Sequence, residues 1–156
     1  MGGPVSLFAT RGLPGCVIGV VGVDTLHNAE FKWLAREAQE FVTRFTADFP
    51  GTMTAAIRSM VPESADPAVL NWVTSKALAA NQQAAIALLR DIALLDLREA
   101  FAAVKVPIRG VNSAPRGERG FPTAFELNKK YADYDAVLME GVGHYPMLER
   151  PAEFNA

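Results

Sequence analysis

The run Val17-Ile18-Gly19-Val20-Val21-Gly22-Val23 constrains the chain more than any other stretch. It is apolar at odd and even positions alike and rich in β-branched residues. It is also too short for a membrane span and lacks the alternation of a half-exposed strand. Such a run predicts a strand covered on both faces, as in a parallel sheet flanked by helices. Two further strand segments follow, Val106-Pro107-Ile108-Arg109-Gly110-Val111, ending at Asn112, and Ala136-Val137-Leu138-Met139. Helical patterning separates the three segments. Parallel strands need crossovers and helices supply them, so the order predicts an α/β architecture.

A short helix is expected over residues 4–11, closed by Gly12, Pro14 and Gly15. Over residues 29–48, Phe31, Leu34, Ala38, Phe41 and Phe45 recur at helical spacing and make one apolar stripe. Pro50-Gly51 should break that helix. Further helices are expected over 53–60, 67–78 and 82–95, with Asp66 capping the one that begins at Pro67. Residues 29–95 therefore read as an all-helical insertion between two core segments, 1–28 and 96–156. A helix over 123–131 and another starting at Pro151 complete the pattern.

Fifteen basic and seventeen acidic residues leave a net charge of −2. That balance gives no footprint for nucleic acid or an anionic membrane. The short basic clusters, Arg116 with Arg119 and Lys129 with Lys130, read as solvated surface. One cysteine excludes an internal disulfide. Cys16 stands just before an apolar strand and is expected as a small buried hydrophobe. Met1-Gly2-Gly3-Pro4-Val5-Ser6 meets the N-myristoylation pattern, but on residues so common that it carries little weight. No apolar run reaches bilayer length and no signal-peptide pattern opens the chain, so a cytoplasmic location is expected. With two histidines and one cysteine, neither a metal centre nor a cofactor is expected.

Three residues close the three strands: Asp24, Asn112 and His144. In open α/β sheets the carboxyl edge of the strands is where ligands bind. An imidazole can take up and return a proton near neutral pH. Glycines before His144 allow a sharp turn that projects the ring outward. Spacing alone leaves two readings level, a proton-transfer residue and a loop histidine capping a strand.

The segment Gly141-Val142-Gly143-His144-Tyr145-Pro146-Met147-Leu148-Glu149-Arg150-Pro151, with Phe154 after it, resembles the catalytic-histidine segment of α/β-hydrolases. Residues 17–28 are similar to the sixth strand of that fold and the loop before its helical cap. Residues 106–112 and 136–139 are similar to the seventh and eighth strands. In many serine members the nucleophile elbow resembles Gly-His-Ser-Met-Gly-Gly, at a strand-to-helix turn. Met1-Gly2-Gly3 matches its last three positions. The resemblance implies a serine, in preference to a dehalogenase-type aspartate, immediately before Met1. It also implies that Met1 holds the oxyanion-hole position, with a free amine in place of an amide. Ser6, inside the helix, is expected to point elsewhere. The chain as written is therefore expected to lack the nucleophile and oxyanion hole and to be inactive.

Relatives usually place the triad acid after the seventh strand, where this sequence has Asn112-Ser113-Ala114 and no carboxylate until Glu118. Asparagine cannot supply the charge that stabilises an imidazolium. Some relatives carry the acid after the sixth strand, so Asp24 is the expected partner of His144; a strand-end or capping aspartate is the plainer reading. His27, Trp33, Asn112 and Tyr145 are candidate pocket residues. Phe31, Phe41, Phe45, Met53, Met60 and Trp72 give the insertion an apolar surface, mostly its own core, which suits a cap admitting a small or medium apolar ester or acyl substrate. Without the nucleophile strand, residues 17–23 would form an exposed apolar edge and promote self-association. Two alternatives stay open: a non-catalytic binding protein derived from a hydrolase, and part of a dehalogenase or perhydrolase relative.

Overall fold

The computed structural model describes residues 1–115 and 121–156. Arg116, Glu118 and Arg119, named above, lie outside the described residues. The elements in chain order are α1 (Gly2–Gly12), β1 (Val20–Val23), α2 (Ala35–Ala47), α3 (Phe49–Ser59), α4 (Pro67–Leu78), α5 (Gln82–Ala93) and α6 (Arg98–Ala103). Then follow β2 (Ile108–Ser113), α7 (Phe125–Asn128), β3 (Tyr134–Met139), α8 (Pro146–Glu149) and α9 (Pro151–Phe154).

The strands form a parallel sheet in the order β1-β2-β3, with Val20 opposite Ile108 and Ile108 opposite Tyr134. The chain divides into two compact units, one of residues 1–31 and 96–156, the other of residues 32–95. The sheet belongs to the first unit. Leu7 of α1, Ala100 and Phe101 of α6, and Val20, Ile108 and Tyr134 of the strands form its core with Leu26, Ala29 and Val104. The Phe101 and Tyr134 rings lie 6.1 Å apart.

One expectation fails here. The segment 17–23 is covered on one face only: Val20 is buried, but Val21 is 74% exposed. In register with Val21 lie Arg109 and Asp135, both exposed, and one step further along the same face is Val137. The core helices pack on the opposite face, so apolar character at both parities did not translate into burial at both. Regular strand geometry also begins at Val20, because residues 13–16 form a turn closed by the Cys16 amide donating to the Leu13 carbonyl. Cys16 is exposed on that turn, which corrects its expected burial.

The second unit is wholly helical among the described residues. Its first helix starts at Ala35, six residues later than the periodicity suggested, where the Leu34 amide donates to Glu37 Oε2 at 3.1 Å. Pro50 and Gly51 begin α3 instead of only ending α2: Asp48 accepts from the Gly51 amide at 2.9 Å, and a proline in the first turn costs no hydrogen bond. Asp66 caps α4 through the Ala68 amide at 2.8 Å, as the sequence indicates. Trp33, Phe41, Phe45 and Phe49 stack in series along this unit. No helix among the described residues is long and apolar enough to cross a membrane.

Candidate active site

All three strands point the same way, so Asp24, Asn112 and the loop after β3 reach one edge of the sheet. The structure brings Asp24 and His144 together there. His144 Nδ1 lies 2.7 Å from Asp24 Oδ2. An ionised carboxylate only accepts, so Nδ1 carries the proton, and Nε2 is the ring nitrogen turned away from Asp24. Asp24 is 8% exposed, whereas the His144 side chain is 38% exposed, which leaves the ring reachable.

Asp24 itself is held in an unusual backbone state. Its φ is 46° and that of Leu26 is 56°, in the left-handed region that side chains seldom adopt. Each such residue costs about 1–3 kcal/mol unless its surroundings fix it. Two fully buried asparagines do so. Asn112 Oδ1 accepts from the Thr25 amide at 3.2 Å. Asn128 Oδ1 accepts from the Ala29 amide at 2.8 Å, and its Nδ2 donates to the carbonyls of Leu26 and His27 at 3.2 and 3.0 Å. Asn112, a candidate pocket residue, turns its Oδ1 to this bracing and its Nδ2 to Thr123 and Tyr134.

Ser113 completes the carboxylate's shell. Its amide and hydroxyl both donate to Asp24 Oδ1, at 2.8 and 2.7 Å. Burial alone would raise the Asp24 pKa; hydrogen bonds from His144 and Ser113 and the nearby His27 outweigh it, and the net shift is downward from 3.8. Burial also lowers the pKa of His27 below 6.5, against the pull of Asp24. For both groups the unfolded chain binds the proton more readily than the folded one between the shifted and the ordinary value. Stability should therefore fall in two steps on acidification, first as pH drops below 6.5 and His27 resists protonation, then below 3.8 as Asp24 is titrated. Thermal denaturation across pH 3–8 checks this, and His27→Phe should erase the upper step. A profile flat from pH 7 to 4 would contradict it.

The turn that carries His144 is clasped by Glu149. One carboxylate oxygen accepts from the Gly143 amide at 2.8 Å and the other from the Tyr145 amide at 3.0 Å. The backbone is thus pinned on both sides of the histidine. The Tyr145 ring stands 5.1 Å from the imidazole, edge to face. Glu149→Ala should cost about 1–3 kcal/mol by leaving two amides without their charged acceptor, and Glu149→Gln clearly less. Urea unfolding of both variants checks the order; equal losses would mean that the charge contributes nothing.

A groove of about 210 Å³ lies beside His144, lined among others by Met1, Gly3, Ser6, Gly22 and Thr25. Gly3 is there because α1 comes in against the β1 loop: a Cβ at Gly3 would collide with the Thr25 and Leu26 side chains. Ser6 faces this groove, contrary to expectation, but its hydroxyl donates to the Gly2 carbonyl at 3.0 Å within its own helix. His27 sits beside Asp24, its Nε2 3.6 Å from Oδ1. Trp33 lies in the helical unit, its ring 4.9 Å from Phe41. No cluster of side chains among the described residues could hold a metal ion. Sequence reasoning passed over Ser113, Thr123, Asn128 and Glu149. Glu149 alone had a visible signal, within the motif around His144.

No family model matches the chain, and no curated protein matches it. Solved structures do. An esterase from Exiguobacterium antarcticum superposes with a TM-score of 0.81 at 13% identity, covering 97% of this chain and 60% of the esterase. A bromoperoxidase from Bacillus anthracis gives 0.79 at 12% identity, covering 99% and 61%. The enol-lactonase from Burkholderia xenovorans LB400 gives 0.75 at 16% identity, covering 99% and 59%. The chain spans about three fifths of the length of these proteins. At such identities the likeness speaks for architecture alone, and with the parallel strand order it is decisive on that point: the chain has the α/β-hydrolase fold, represented by its C-terminal part.

Proposed function

We propose that this chain supplies the histidine–aspartate half of a serine-hydrolase triad, with His144 as general base and acid and Asp24 as the carboxylate that orients it. The Nδ1–Oδ2 contact at 2.7 Å carries the reading. In this role Nε2 takes the proton of an attacking hydroxyl and later gives it to the leaving alcohol, while Asp24 stabilises the imidazolium formed between the two steps. The reaction is hydrolysis of a small or medium apolar ester or acyl substrate, in keeping with esterases and an enol-lactonase among the structures of similar fold. Residues 32–95 act as a substrate-selecting cap.

The nucleophile is supplied from outside the described residues. Among these, no hydroxyl or thiol hydrogen-bonds to His144; Ser6 is engaged with Gly2, and Ser113 with Asp24. The 156-residue chain is therefore expected to leave p-nitrophenyl acetate untouched. Placing the N-terminal half of an α/β-hydrolase ahead of it, ending at the elbow serine, should create turnover. Turnover by the chain alone, or none with the serine supplied, would defeat the proposal.

The free edge of β1 favours a second role, self-association. Among the described residues β1 pairs with β2 only, and Ile18 beside it is 93% exposed. An apolar strand edge of this kind templates pairing with another chain. Sedimentation should show species larger than a 16.8 kDa monomer, reduced by Val21→Lys. A stable monomer at high concentration would exclude this role.

A further inference from the structure

Asp24 has a second imidazole beside it. Opposite the His144 contact, His27 Nε2 stands 3.6 Å from Oδ1, with the His27 side chain 14% exposed. The protons of this cluster can be placed from one unambiguous donor. The Thr25 backbone amide gives its hydrogen to Asn112 Oδ1, so the Asn112 amide can be oriented in only one way. Its Nδ2 then donates to Thr123 Oγ1 at 3.0 Å and to the Tyr134 hydroxyl oxygen at 3.3 Å. A threonine hydroxyl that accepts from Asn112 still has its own proton to give. His27 Nδ1 lies 3.3 Å from it. The hydroxyl can give that proton to Nδ1, an arrangement that puts the ring proton on Nε2, the nitrogen facing Asp24. A cationic His27 would carry a second proton on Nδ1, aimed at Thr123, and would force the hydroxyl to turn away.

We propose that His27 is a positioning residue for the Asp24–His144 pair, a neutral imidazole locked as its Nε2–H tautomer by the relay Thr25–Asn112–Thr123. It places its Nε2–H edge on the side of the carboxylate that His144 does not use, 3.6 Å from Oδ1 and beyond hydrogen-bond reach, and so favours an ionised Asp24 turned toward His144 through space. The role rests on the reading of that pair as a proton-transfer unit. The titratable groups facing Asp24 among the described residues are these two histidines, with Ser113 donating to the same carboxylate. Burial of His27 acts in the same direction, favouring the neutral ring.

The chain holds only two histidines, so 15N-histidine labelling gives one set of ring signals for each. At pH 7 His27 should appear as a single Nε2–H tautomer, and Thr123→Val should turn it into a mixture. His27→Phe should also move the hydrogen-bonded Nδ1–H proton resonance of His144 at pH 7, and His27→Gln, which retains a donor, should restore it. A purely structural role for His27 would leave that resonance in place. An Nδ1–H tautomer or a cation of His27 at pH 7, or a folded His27→Phe protein with the His144 resonance unmoved, would overturn the assignment. Should His27→Phe not fold, the wild-type tautomer and Thr123→Val still decide. The catalytic reading fails by a different result, esterase activity that survives His144→Ala, which would leave the His27 tautomer as it was.

Discussion

With an elbow serine supplied, His144→Ala should lower kcat/KM for an activated ester by about 10,000-fold or more. The size follows from what the ring does twice in each cycle, removing a proton from the nucleophile and returning it to the leaving group. Among the described residues no other base is placed to substitute, since the second histidine faces Asp24 from the far side and is largely covered. Asp24→Asn is the sharper companion test. Asparagine tolerates the left-handed backbone at φ 46° better than most residues, so the loop should survive. The amide Nδ2 would meet a ring nitrogen that must now accept, putting the imidazole proton on the wrong atom. A loss of about 10,000-fold in kcat with little change in KM is expected. Steady-state kinetics on p-nitrophenyl esters decide both, and a variant within tenfold of wild type would remove its residue from the mechanism.

Asn128→Ala should be the most damaging single change to stability. The side chain is fully buried and makes three hydrogen bonds into residues 26–29, at 2.8, 3.2 and 3.0 Å. Truncation strands the Ala29 amide and the Leu26 carbonyl in the interior, at about 1–3 kcal/mol for each buried group left without a partner. It also frees Leu26 to leave its positive φ. About 3–5 kcal/mol is expected in urea unfolding, a large share of what a domain of this size possesses. Asn155→Ala makes a fair control, since among the described residues that exposed side chain bonds only to the Pro151 carbonyl of its own helix. A loss below 1 kcal/mol at Asn128 would mean that the loop holds itself.

Much of the architecture was legible because it depends on patterns local in sequence. The three strands announce themselves by short apolar runs, and the Asp66-Pro67 pair marks the start of α4 with its cap. The proximity of Asp24 and His144 was readable for a geometric reason: residues that close parallel strands must share an edge. The open face of the sheet was not readable, since Val21 is as apolar as Val20 and only the position of the helices tells them apart. Nor were the short helices α6 and α8, too brief for periodicity to show. The braces were least visible of all. Asn128 sits beside two lysines in an ordinary polar stretch, and its role appears only when a loop about a hundred residues earlier is folded against it.

Those separations say something about time. The bonds that set Asp24 in place join residues 87 to 120 positions apart: Thr25 to Asn112, Ser113 to Asp24, and His144 to Asp24. Each closes a long loop of chain before giving any return, and contacts of that kind form late. The left-handed turn at Asp24 has no local reason to exist and should relax whenever β2 or α7 is undocked. Proton-transfer geometry in this chain is thus an end product of folding. A partly folded molecule could hold every helix and still have no base.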